Sequence, residues 1–322
     1  ITRYKTMRGF HVPRKAGWDT HGLPVELAVE RELGLKTKKD IERYGVAKFN
    51  EKCRESVWRY KEEWERLTKR VGFWLDLAHP YITYETRYIE TLWWIIKEVW
   101  GKGFLYKDFK IIPWCPRCQT GLSSHELGQP GAYTKVKEDS IFVRLKIRGK
   151  KNESLLVWTT TPWTLPANVA VAVNPVVEYT RFKIGDELVW SAGVPPFDPK
   201  GPEPEVLEKV SGGSLIGLAY EPLYPPTFDS GTITPPYRVY GADFVATEEG
   251  SGFVHLAPAY GEEDMAAMKQ ESSGDYPILE TVNPDGTIKK GVIAEGKFVK
   301  DADAVITEDL KKRKLLFAVL PY

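Results

Sequence analysis

The tightest constraint in this sequence is the run Trp158-Thr159-Thr160-Thr161-Pro162-Trp163-Thr164-Leu165-Pro166-Ala167-Asn168. The apolar residues Ser154-Leu155-Leu156-Val157 just before it read as a buried strand. Three threonines then stand at the end of that strand, and Pro162 stops the ladder because it has no N–H to donate. The pattern places a row of hydroxyls on a rigid element where the backbone turns. Such hydroxyls orient a water or a sugar hydroxyl without adding charge. Threonine also suits strands for packing reasons alone, but two tryptophans, a second proline and a terminal Asn168 at fixed offsets ask for more than packing.

Two further polar stretches stand out. Near the N-terminus, Gly17-Trp18-Asp19-Thr20-His21-Gly22-Leu23-Pro24 sets glycines and a proline around Asp19 and His21. This is a loop with unusual backbone angles, readable either as a structural turn or as a ligand grip in which Asp19 pairs with an ammonium group. Later, Glu249-Gly250-Ser251-Gly252 turns into a short strand ending at His255. A loop through Pro258 then leads to a helix starting near Gly261, with Asp264 in its first turn. Acidic residues are common there because the helix dipole favours them.

Around these motifs the chain divides in texture. Val46, Phe49, Cys53, Val57, Tyr60, Trp64 and Leu67 recur at three and four, which predicts one helix over 46–67 with Cys53 as a core residue. A second helix is expected over 85–101, ended by Gly101 and Gly103, and both helices suit packing against a parallel sheet. From about residue 130 strand patterns dominate: 141–146, 154–160, 169–173, and a hairpin of 179–184 with 187–190 around Gly185-Asp186. The proline-rich stretches Val194 to Glu205 and Tyr224 to Pro236 read as surface loops, with RNA as one candidate neighbour. A hairpin turning at Pro284-Asp285-Gly286 and a basic-ended helix from Asp303 to Lys314 follow.

Charge decides little. Lys plus Arg is 45 against 44 Asp plus Glu, so no global field draws this chain to nucleic acid, and any such contact uses local patches. Arg3, Lys5, Arg8, Arg14 and Lys15 form one: either a solvated face or a phosphate-facing one. Of three cysteines, Cys115 and Cys118 form a single Cys-x-x-Cys, which argues for a reducing, cytoplasmic setting and against a disulfide framework. Two thiolates make half of a tetrahedral zinc site. No apolar run is long enough to span a bilayer. The start at Ile1-Thr2-Arg3 reads as the middle of a longer protein, and the chain is expected to be a monomer.

Taken together, the Trp158–Asn168 run, the Gly17–Glu26 loop, the Cys115/Cys118 pair and the Glu249–Asp264 segment resemble the isoleucyl-tRNA synthetases, in that family's order. The Trp-Thr-Thr-Thr-Pro-Trp form is the isoleucine version, since the leucine and valine enzymes carry an Arg between the threonine pair and the proline. The resemblance implies an α/β protein: part of a Rossmann-type class I catalytic domain (1–112), a zinc-knuckle half and linker (113–130), an inserted, mostly β, barrel-like editing domain (131–315), and a return strand (316–322). It implies ligation of isoleucine to tRNA(Ile) with ATP and Mg2+ in the full protein, and hydrolysis of mischarged Val-tRNA(Ile) by the inserted domain. Gly17, Asp19 and His21 would belong to the synthetic amino-acid site. The His-Ile-Gly-His-type and Lys-Met-Ser-Lys-Ser-type ATP signatures are not in this sequence. Zn2+ would be completed by a second cysteine pair beyond Tyr322.

In the editing site, Asp264 would hold the free ammonium of the valyl group, and Trp158 and His255 would wall the pocket. Thr159, Thr160, Thr161, Thr164 and Asn168 would place water and support the oxyanion. His255 has two readings, general base or shape and hydrogen bonding, of which the second is preferred. Two other readings remain: a binding module for the tRNA acceptor end with an inert pocket, and a purely structural zinc-ribbon scaffold.

Overall fold

The computed structural model describes residues 1–197, 199, 201–225, 233–247, 249–271 and 276–322, which form two compact units, Ile1–Phe109 and Lys110–Tyr322. Parts of both proline-rich stretches lie outside the described residues, so the loop reading there stays with the sequence.

In the first unit, α1 (Thr2–Met7) precedes β1 (Lys15–Trp18). Four helices follow: α2 (Leu23–Leu33), α3 (Lys38–Tyr44), α4 (Val46–Ser56) and α5 (Lys61–Arg70). The chain then returns in β2 (Asp76–Ile82), which lies parallel to β1, and continues into α6 (Thr86–Gly101). Parallel strands require such a crossover. The single helix expected over 46–67 is broken: residues 57–60 form a turn between α4 and α5. The apolar stripe therefore does not follow one axis, and only Phe49 of it is buried. Trp58, outside the stripe, is the anchor instead. Its ring meets Trp18 and Tyr84 edge-on, at 6.3 and 6.1 Å between centroids. Its indole N–H donates to the Tyr84 hydroxyl at 3.1 Å.

The second unit opens with the short pair β3 (Trp114–Cys115) and β4 (Thr120–Gly121), then α7 (Ser124–Leu127). Its main sheet is built from β5 (Asp139–Lys146), β6 (Glu153–Thr159), β8 (Glu178–Ile184), β9 (Glu187–Ser191), β10 (Glu205–Ser211) and β13 (Leu316–Pro321). The order is β10-β8-β9-β6-β5-β13. A three-stranded sheet places β7 (Ala170–Val173) between β11 (Val239–Gly241) and β12 (Val254–Leu256). Helices α8 (Glu262–Glu271) and α9 (Val299–Lys312) complete the unit.

One core unites the two sheets. Ile141, Val143, Leu155 and Val157 from the larger sheet pack with Val171, Val173 and Val239 from the smaller. Hydrogen bonds also pass from one sheet to the other through residues 217–221: Glu221 N–H reaches Lys146 O, and Tyr220 N–H reaches Tyr237 O. This continuity gives the unit its barrel-like character. The 179–190 hairpin is as expected, with Ile184 opposite Glu187 and Gly185 at φ +60°, the left-handed conformation that a two-residue turn demands. The basic-ended helix begins earlier than expected, at Val299. Residues 316–321, expected as a return strand, run antiparallel to β5 and form the edge of the six-stranded sheet.

Candidate active site

β6 ends at Thr159, and a 3-10 turn, Pro162–Ala167, follows at once. Pro162 fits there because the first residue of such a turn has no use for an N–H. This geometry stacks the hydroxyls instead of alternating them across a strand. Thr159 Oγ1 accepts the Thr161 N–H at 3.1 Å and lies 3.4 Å from Thr161 Oγ1. Thr161 Oγ1 lies 3.4 Å from Thr164 Oγ1. Thr164 Oγ1 is 3.0 Å from His255 Nε2, brought in by β12 of the other sheet.

Burial sets the charge of His255. The Thr164 hydroxyl lies 2.8 Å from the Thr161 carbonyl, to which it can donate, and 3.0 Å from His255 Nε2. Full burial lowers the His255 pKa from 6.5 to about 4. The ring is therefore neutral at pH 7. Nδ1 is buried and, among the described residues, has no hydrogen-bond partner and no carboxylate to complete a serine-protease-like triad. The side chain has the character of a rigid neutral wall.

Asp264 stands at the start of α8, across a cavity of about 260 Å³. One carboxyl oxygen accepts the Ala257 N–H at 2.9 Å. Burial pushes its pKa up from 3.8 to about 6, against the pull of that N–H. Gly261 makes the room: a Cβ there would lie 2.5 Å from Asp264 Cγ. Gly250, at φ +77°, lies against Trp158, whose ring a Cβ would meet at 2.7 Å. The glycine turn before β12 is thus shaped around the tryptophan.

The cavity brings together Trp158, Thr159, Thr160, Thr161, Thr164, His255 and Asp264, from segments about a hundred residues apart. It does not include Asn168. That side chain is buried; its amide donates to Ala170 O at 2.7 Å and its oxygen accepts from the Tyr220 hydroxyl at 2.7 Å. Asn168 thus ties the turn to the core. The structure adds Val254, Ala257, Tyr260 and Gly261 to the lining. Tyr260 was legible only in retrospect, as an aromatic four residues before Asp264 in a polar loop.

The remaining sequence candidates do not line this cavity. Gly17, Asp19 and His21 belong to the first unit, at the carboxyl end of β1 and in the loop after it. That end of a parallel strand is where α/β folds place ligands. Asp19 and His21 are exposed, and Asp19 accepts the His21 N–H at 3.3 Å. Cys115 and Cys118 form a knuckle across the β3–β4 turn, with the Cys118 N–H 3.4 Å from Cys115 Sγ. The His125 ring is hydrogen-bonded to Gln129. Among the described residues no group of three His, Cys, Asp or Glu side chains is placed to hold a metal ion. The pair fits half a zinc site. No helix among the described residues is long and apolar enough to cross a membrane.

Residues 1–223 match the family described as tRNA synthetases class I (I, L, M and V). The chain belongs to the class I tRNA synthetases. Among the relatives of this synthetase chain is the isoleucine–tRNA ligase of Thermus thermophilus, 45% identical over 321 residues, covering 98% of the chain and 30% of that protein. The isoleucine–tRNA ligase of Streptomyces coelicolor is 46% identical over 332 residues, covering 99% of the chain and 30% of that protein. The chain thus spans about a third of the length of these curated relatives. The solved Plasmodium knowlesi cytosolic leucyl-tRNA synthetase editing domain is similar at a TM-score of 0.43 and 11% identity, over 57% of this chain and 97% of that one.

Proposed function

We propose that the second unit of this class I synthetase is a hydrolytic editing site that removes valine from mischarged tRNA(Ile), in a protein that ligates isoleucine to tRNA(Ile). The observation that carries this reading is the single cavity uniting the threonine row, a neutral His255 and the half-buried carboxyl of Asp264.

A valyl ester on the terminal ribose carries a free α-ammonium, and among the described residues that line the cavity Asp264 is the acidic group able to pair with it. Water, oriented by the hydroxyls of Thr159, Thr160 and Thr161, adds to the ester carbonyl. The bond to the ribose oxygen breaks, and the water's proton passes to that oxygen as valine leaves. The ester is already activated, so placement of water and hydrogen bonding to the developing oxyanion are the required contributions. Trp158 and His255 set the size limit. One methylene is worth only about 1–3 kcal/mol in a hydrophobic pocket, a limit for which isoleucine against valine is the standard example, so a second sieve is needed.

Asp19 and His21, with Gly17 leaving space, would serve the synthetic amino-acid site, with ATP and Mg2+ held by other parts of the full protein. Cys115 and Cys118 would give two of four thiolates to a structural zinc. The test is deacylation of Val-tRNA(Ile) and Ile-tRNA(Ile), with Asp264→Ala beside the unsubstituted protein. Loss of valine, sparing of isoleucine and collapse in the variant are expected. Undiminished hydrolysis by Asp264→Ala would overturn the reading, and binding without hydrolysis would favour an inert acceptor-end module.

A further inference from the structure

The turn that carries Thr164 has an N-terminus that its own residues do not satisfy. Thr161 occupies the cap position, but its side chain makes no capping bond. Pro162 has no N–H, and the Thr164 N–H is taken by the Thr161 carbonyl at 3.0 Å. The Trp163 N–H is left over. Its acceptor is Asp303 Oδ1 at 2.8 Å, on the first turns of α9 and 140 residues away in sequence.

The next contacts run into the site. The Trp163 indole meets the Tyr260 ring edge-on at 5.0 Å between centroids, and Tyr260 lines the hydrolytic cavity. Tyr260 is itself held by Thr281, whose N–H donates to its hydroxyl at 2.7 Å. Thr164, one residue on, supports His255. The turn is therefore fixed from two sides, by a carboxyl of α9 and by an aromatic contact. Asp303 also faces a second, larger cavity of about 800 Å³ that shares Thr160 with the first. Asp303 lines this larger cavity and is not among the residues lining the smaller one.

We propose that Asp303 is a positioning residue of the editing site: its carboxyl caps the Pro162–Ala167 turn and so sets the line from Thr161 through Thr164 to His255. This rests on the editing reading above. A part-buried turn N–H without its acceptor is drawn towards another one. Thr164 would move with the turn, and His255, the excluding wall, would lose its support. Selectivity is then affected as well as rate, which a general loss of stability would not do, because misfolding removes both activities in the same proportion. Asn at this position keeps the acceptor oxygen and should keep the function.

The experiment compares Asp303→Ala and Asp303→Asn in the full-length enzyme, with kcat and KM measured on Val-tRNA(Ile) and Ile-tRNA(Ile), beside hydrogen exchange over 162–168. The expected result for Asp303→Ala is a tenfold or greater fall in kcat on the valyl ester, a valine-to-isoleucine ratio narrowed several-fold, and faster exchange confined to the turn. Asp303→Asn should stay within threefold of the unsubstituted enzyme. Unchanged kcat and ratio in Asp303→Ala, or an Asn variant as impaired as the Ala variant, would overturn the inference. If the unsubstituted enzyme does not deacylate Val-tRNA(Ile), the editing reading falls and the role of Asp303 in it falls with it. Normal deacylation with an indifferent Asp303→Ala sinks the Asp303 inference alone.

Discussion

Burial raises the Asp264 pKa to about 6, so below that pH the carboxyl is increasingly neutral and cannot pair with an ammonium. Hydrolysis of Val-tRNA(Ile) should therefore decline about tenfold per unit on the acid side of pH 6, and the limb should vanish in Asp264→Asn. At pH 7–8 that variant should lose about 10- to 100-fold in kcat/KM, the value of one hydrogen bond to a charged group. Stability moves the other way. A carboxyl whose folded-state pKa lies above its unfolded value gives stability that is present below the unfolded value, near 3.8, and lost as pH rises through about 6. At pH 8 Asp264→Asn should thus melt no lower than the parent, as expected of a group kept for chemistry. Gly261→Ala checks the same carboxyl by shape. Its Cβ would lie 2.5 Å from Asp264 Cγ, so the variant should fold yet lose at least tenfold in hydrolysis.

The elements explain why some of the motif residues line the cavity and others do not. Had the threonines continued β6, successive side chains would point to opposite faces. The 3-10 turn after Pro162 gathers three of the hydroxyls on one side and sends Asn168 into the core. Asn168→Ala should therefore act as a structural lesion. It leaves the Tyr220 hydroxyl unpaired in a fully buried position, at a cost of about 1–3 kcal/mol. Chemical denaturation should show that loss, while the pH dependence of the residual activity should match the parent. An altered pH profile would instead place Asn168 in the chemistry. The same scale shows the limit of periodicity. The stripe over 46–67 has a helical repeat, yet the chain turns at 57–60 and Trp58 is the residue that packs.

Across the whole molecule, the second unit has its own core and both walls of the cavity. A protein of residues 110–322 should fold alone and retain deacylation, whereas one of residues 131–315 should not. The shorter piece lacks β13, which pairs with β5 from Leu316 to Pro321, and lacks Tyr322, whose ring meets Trp158 at 5.7 Å. Thermal melts and deacylation of the two pieces check this. What the sequence determined by itself was local: strand and helix texture, the proline stop, the glycine turns, and which residue types had chemistry to offer. These follow from short-range propensities and steric rules that operate over a few residues. Tertiary structure alone decided that β12 lies beside β7, bringing His255 to Thr164 across 91 residues of chain, and that α9 lends Asp303 to a turn it never meets in sequence. Those pairings depend on how two sheets share one core. Burial, and with it the pKa of Asp264 and His255, is a property of that assembled core rather than of any segment.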